Sequence, residues 1–142
     1  MRLFAVILAL ALFLPRAAGA GEIVVVANAT SGVGKLSRDQ VVNIFLGRFR
    51  QFPSGLPAEP IDQPDGSPQK ARFYRLLVDK EMAEINAYWA RLVFSGRTPP
   101  PLKAESSGEV LRLLASRKGG IAYVDRSLVD QRLTIVFSPD NE

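Results

Sequence analysis

Short apolar, β-branched runs alternate with longer stretches of helical period, and this alternation limits the chain to an α/β architecture. Residues 22–27 (EIVVVA), 121–124 (IAYV) and 133–137 (LTIVF) are too short for helices and read as strands. Residues 58–63 (AEPIDQ) predict a further short strand, weakened by Pro60. Ser37 opens the first helix as its N-cap, with Gln40 completing a capping box. Val41, Ile44 and Phe45 share one face of it, and Gly47 stops it. Ser67 and Pro68 suit the N-cap and first helical position of a second helix with Phe73, Leu76 and Leu77 as its stripe. Asp79 is the expected cap of a third helix reaching about Phe94, with Met82, Ile85, Trp89, Leu92 and Val93 on one face. Gly96 and prolines 99–101 stop it. Ser106 or Ser107 starts a fourth helix with Val110, Leu111 and Leu114 inward, ended by Gly119 and Gly120. The tail from Ser138 is polar and is expected to fray. The order β-α-β-α-α-α-β-β predicts a small three-layer α/β sandwich, its mixed sheet of four or five strands covered by helices on both faces.

The N-terminus reads as an address. Arg2 precedes an apolar run of 12 residues at positions 3–14, Pro15 breaks it, and Ala18-Gly19-Ala20 supplies small residues for a signal peptidase. A membrane-spanning helix needs about 20 apolar residues, so the run predicts a cleaved signal peptide (residues 1–20) rather than an anchor. The remainder, residues 21–142, is one domain of ordinary size, expected in the periplasm or secreted. Cleavage removes Arg2 and Arg16, taking 18 basic residues to 16 against 14 acidic ones. The charges are interspersed, so nucleic acid is not an expected partner.

The chain contains neither cysteine nor histidine. Ser–His and Cys–His nucleophile systems are therefore excluded, and a metal site would need carboxylates alone. Asp62 and Asp65 are close in sequence, but nothing in their spacing marks an acid/base pair. The expectation is a protein that is not an enzyme and carries no cofactor or metal.

The most informative local feature is the turn Asp65-Gly66-Ser67-Pro68-Gln69 entering a helix. A helix N-terminus presents unpaired N–H groups and a partial positive charge, which suit phosphate or a similar oxyanion. Ser67 is placed to donate to such an anion, and Arg72 to reach back to it. Asp65 is placed to accept from a protonated phosphate oxygen. The simpler reading of the same residues is local: Ser67 caps its own helix and Asp65 shapes the turn. Residues 28–35 (NATSGVGK) lack the first glycine and the final Ser or Thr of a phosphate-binding P-loop, because Ala29 and Leu36 stand there. Trp89 beside Tyr88 reads as core in preference to a ligand platform. Arg48, Phe49, Arg50 and Phe52 read as a mixed loop in preference to a nucleic-acid strip.

Four elements in order carry a family resemblance. Residues 36–47 (LSRDQVVNIFLG), the turn Asp65-Gly66-Ser67 followed by Phe73-Tyr74, Ala87-Tyr88-Trp89, and residues 119–124 (GGIAYV) resemble successive segments of the periplasmic phosphate-binding proteins of ABC transporters. The resemblance implies one lobe of a type II periplasmic binding protein, in a chain half the length of the two-lobed members. It implies an exported solute-binding-like domain taking phosphate or another oxyanion at Asp65, Gly66, Ser67, Gln69 and Arg72, with an ABC permease or another envelope protein as partner. The departures are specific. Pro68 and Gln69 stand where the family has Gly and Thr, and Pro68 removes an N–H. Gln63 replaces an arginine and a charge-assisted contact of about 1.5–3 kcal/mol. They keep a second expectation open: a lobe that has lost its ligand and binds an envelope protein instead.

Overall fold

In the computed structural model, which describes residues 21–141, the segment EIVVVA at 22–27 gives the strand β1 (Ile23–Asn28). The expected signal peptide, residues 1–20, lies outside the described residues. All six β1 residues are buried, as a strand sandwiched between two layers must be. The later elements are α1 (Arg38–Phe45), β2 (Glu59–Asp62), α2 (Pro68–Val78), α3 (Met82–Phe94), β3 (Leu102–Lys103), α4 (Ser107–Ser116), β4 (Gly120–Asp125) and β5 (Leu133–Phe137). The sheet order is β3-β2-β4-β1-β5. β1 runs antiparallel to both neighbours, while β2 is parallel to β4 and to β3.

Side-chain alternation along β1 divides the core. Val25 and Ala27, with Ile121 and Tyr123 of β4, face Val41, Phe45, Phe73 and Ile85 of α1–α3. Val24 and Val26, with Ala122 and Val124, face Val110 and Leu114 of α4 on the other side. The expected three-layer α/β sandwich with a mixed five-stranded sheet is thus the fold.

The fifth strand, β3, was not among the sequence expectations. It is two residues long and follows the proline run, so it carries no periodic signal; it is a strand because β2 offers it partners. This also explains Pro60. The Glu59 N–H donates toward β4, so Pro60 faces the opposite edge, and β3 pairs only from Ile61 onward. No ladder bond is lost at Pro60. Gly119 is required by a close approach: a Cβ there would lie 2.2 Å from the Pro57 carbonyl oxygen.

Ser37, Ser67 and Ser106 cap their helices as expected, and the Ser37–Gln40 capping box is complete. Three expectations are corrected. Asp79 does not cap α3; it ends α2 in a left-handed conformation (φ 54°), and Glu81 takes the N-cap position. The tail does not fray: Pro139 is buried, Asp140 pairs with Arg72, and Asn141 donates to Glu22. The α3 stripe is only partly covered. Ile85 is buried and Trp89 half-buried, but Val93 and Phe94 face solvent, Phe94 at 96% exposure.

Candidate functional site

β2 delivers a buried carboxylate, Asp62, to the sheet end from which the chain turns into α2. Gly66 makes the turn with φ 77°, and a Cβ there would meet nothing, so this backbone opens to solvent. Ser67 Oγ accepts the Lys70 N–H at 3.3 Å. The local reading of Ser67 is therefore present, and its hydroxyl hydrogen is not consumed by that bond. A recess of about 470 Å³ opens here, with Asp65, Gly66, Ser67 and Lys70 on one side and Met82 and Asn86 of α3 on the other.

The turn brings Asp65, Gly66 and Ser67 together, but not Arg72. Five residues along a helix turn a side chain through about 500°, which leaves it some 140° away from the cap. Arg72 accordingly donates to the Gly21 carbonyl at 2.6 Å and pairs with Asp140 at 3.4 Å. Gln69 is half-buried and does not line the recess. Among the first-turn amides, the N–H groups of Ser67 and Lys70 are committed to Pro64 O and Ser67 Oγ, and Pro68 has none.

Two lysines bring positive charge to the turn. Lys70 lies three residues from Ser67, on the same side of the helix, and its ammonium is 3.1 Å from Asp65 and 3.6 Å from Asp62. Lys103 arrives through tertiary structure: the β2–β3 register sets it opposite Asp62, and its ammonium is 2.5 Å from Asp65. The spacing from Ser67 was a usable signal for Lys70; no local signal pointed to Lys103. Gln63 is turned inward, donating its side-chain N–H to the Tyr123 carbonyl at 3.1 Å.

Beneath the turn lies a polar cluster inside the core. Asp62 accepts from the Tyr74 hydroxyl at 2.8 Å, from the Tyr123 hydroxyl, and from the Gln63 N–H at 3.0 Å. Burial first, and the Asp62 carboxylate second, push both tyrosine pKa values up, so each phenol stays protonated and acts as a donor. Hydrogen bonds from Lys103 and then Lys70 hold the Asp65 carboxyl below its usual range. The pairing of Asp65 therefore adds stability above the ordinary carboxylate pKa and loses it as pH falls through the lowered value. Because Asp65 is exposed, the effect is small. Urea midpoints of Asp65→Asn are expected below wild type at pH 6 and level with it at pH 2; an equal gap at both values contradicts the pairing.

Comparison with family models and with curated proteins yields no match. Solved structures do match, and they share this chain's fold over part of their own length. A phosphate ABC transporter substrate-binding protein from Clostridium perfringens, with bound phosphate, superposes with a TM-score of 0.65 at 20% identity, over 82% of this chain and 44% of that one. An ABC-type phosphate transport receptor from Vibrio cholerae gives 0.64 at 15% identity, over 82% and 45%. PstS from Borrelia burgdorferi gives 0.62 at 12%, over 82% and 47%. The chain spans less than half the length of these proteins, and at such identities the likeness is one of fold.

Proposed function

We propose that this chain is an exported solute-binding-type lobe that takes an oxyanion of the phosphate class at the amino end of α2. The observation that carries this reading is the open recess at the Ser67-capped helix end, with Lys70 on its wall and Lys103 reaching Asp65 beside it. The helix end offers partial positive charge, Ser67 offers a hydroxyl, and Asp65 offers an acceptor for the proton of hydrogen phosphate. Affinity is modest, because the recess is open to water and Asp65 already occupies the lysines. The phosphate-binding fold of the solved structures supports the ligand class, and the pattern of residues 1–20 supports export.

Calorimetry on the chain lacking residues 1–20, whose removal leaves both cores whole, tests this. Phosphate is expected to saturate in the millimolar range, ahead of sulfate. Lys103→Gln is expected to weaken binding by roughly two- to fivefold. Silence of both anions at tens of millimolar sinks the reading.

A second reading, a lobe that binds an envelope protein such as a permease instead of a small anion, is favoured by the exposed Val93 and Phe94 on α3. A photo-crosslinking residue at position 94 that captures one stoichiometric partner, with no response to phosphate, selects it.

A further inference from the structure

A recess of about 480 Å³ lies between α1 and α3, away from the turn into α2. Its floor is apolar: Val42 and Leu46 come from the α1 side, Val78 from the end of α2, and Ile85 and Tyr88 from α3. Val42, Val78 and Tyr88 are half-buried, so they keep surface that a ligand can cover. The Tyr88 hydroxyl donates to the Leu46 carbonyl at 2.6 Å, which uses its polar end and leaves the ring as apolar wall. The same bond fixes the end of α1 against the middle of α3. Charge on the rim is uneven. Arg48 follows Leu46 by two residues and Arg91 follows Tyr88 by about one turn, so both arginines stand at the end marked by that bond. Both side chains are exposed, and among the described residues neither has a hydrogen bond or an ion pair. One turn before Tyr88, Glu84 pairs with Lys80 at 3.4 Å, so the other end is neutral. A helix C-terminus favours a nearby cation, which accounts for each arginine singly but not for their meeting over an apolar recess.

We propose that this recess is a second binding site, for a single-chain amphiphile with an anionic head, of the medium-chain fatty acid class. An apolar concavity of this volume with a few charged groups at one end is the usual form of a small-molecule site. The guanidinium groups of Arg48 and Arg91 are free to donate to a carboxylate, whose plane matches their fork. The hydrocarbon tail then covers Val42, Val78 and Tyr88 and ends at the neutral Lys80–Glu84 pair. The α3 stripe from Arg91 back to Glu84 is about 10.5 Å long, which an acyl chain of about eight carbons spans. Inorganic phosphate has no apolar part to cover this floor, so it is not the ligand here. The site shares no lining residue with the α2 recess and does not rest on the function proposed for it.

Calorimetry of the chain lacking residues 1–20 with sodium octanoate, below its micelle concentration and at fixed ionic strength, is expected to saturate with a Kd of about a millimolar or less. Affinity is expected to rise about twofold per methylene from hexanoate to octanoate, half the gain of complete burial. Octanol, with the same tail and no charge, is expected to bind more weakly. Arg48→Gln and Arg91→Gln are each expected to weaken octanoate by roughly two- to fivefold and to leave octanol unchanged. Both positions are exposed and outside the two cores, so unchanged urea midpoints are expected and confirm that the variants fold. Absence of saturation with octanoate overturns the proposal. So does equal binding of octanol and octanoate, or an octanoate affinity unchanged in both variants. Co-sedimentation with phosphatidylglycerol vesicles without any octanoate binding assigns the arginines to a membrane surface and overturns it as well. Phosphate calorimetry reads the α2 recess alone, so failure there and failure here are told apart.

Discussion

Replacing Lys70 with methionine is expected to lower the unfolding free energy by about 3–5 kcal/mol, because it strands a buried carboxylate. The Lys70 and Asp62 side chains are 8% and 7% exposed, and their charges lie 3.6 Å apart. Asp62 keeps its two tyrosine donors and the Gln63 amide in the variant, but these supply no positive charge. The pair also ties the last residue of β2 to the first turn of α2, so the turn between them loosens with it. Removing the charge from both partners is expected to restore much of the loss: Lys70→Met with Asp62→Asn in one chain should be more stable than Lys70→Met alone. Urea denaturation of the four members of this cycle measures the coupling. A cost below about 1 kcal/mol for Lys70→Met shows that the pair is not what holds the turn.

The parts of the fold that were legible in the sequence are those that local chemistry decides. The Ser37–Gln40 box, the Ser67–Pro68 entry and the Ser106 cap are each settled within four residues, and each formed as read. β1, β4 and β5 were legible because apolar runs of that length bounded by polar or glycine residues have few alternatives. Asp79 was misread because an Asp before a helical period fits an N-cap, while the same residue also tolerates the left-handed conformation that ended α2. β3 and Lys103 were out of reach, since a two-residue strand exists only through its partner. The α3 stripe was visible as a period, yet a period cannot say what lies opposite, and opposite Val93 and Phe94 there is solvent. In the recess, Asp65, Gly66 and Ser67 stand together because they are consecutive in one turn. Arg72 was placed by closeness in sequence alone, and the 3.6-residue period carries it to the far side of α2.

Phe73→Ala is expected to cost about 3–5 kcal/mol and to weaken anion binding as well, through a chain of contacts that leads from the core to the recess. The Phe73 ring is fully buried and stacked on Tyr123, with centroids 3.8 Å apart and planes 10° from parallel. Phe45 meets it edge-on at 5.1 Å and Tyr74 at 5.2 Å. Truncation leaves a cavity among three aromatic rings that cannot collapse without moving α1 or β4. The two tyrosines that lose their neighbour are the ones whose hydroxyls hold Asp62, which in turn holds Lys70 at the recess. Phe73→Leu keeps most of the volume, so it should fold with a smaller loss and still show the second effect. Tyr123→Phe, which keeps the stack and removes one donor to Asp62, is expected to cost about 1–3 kcal/mol. If ring packing positions the site, phosphate affinity falls in Phe73→Leu and in Tyr123→Phe alike. A fall in stability with phosphate affinity intact in both variants breaks the link between core and recess.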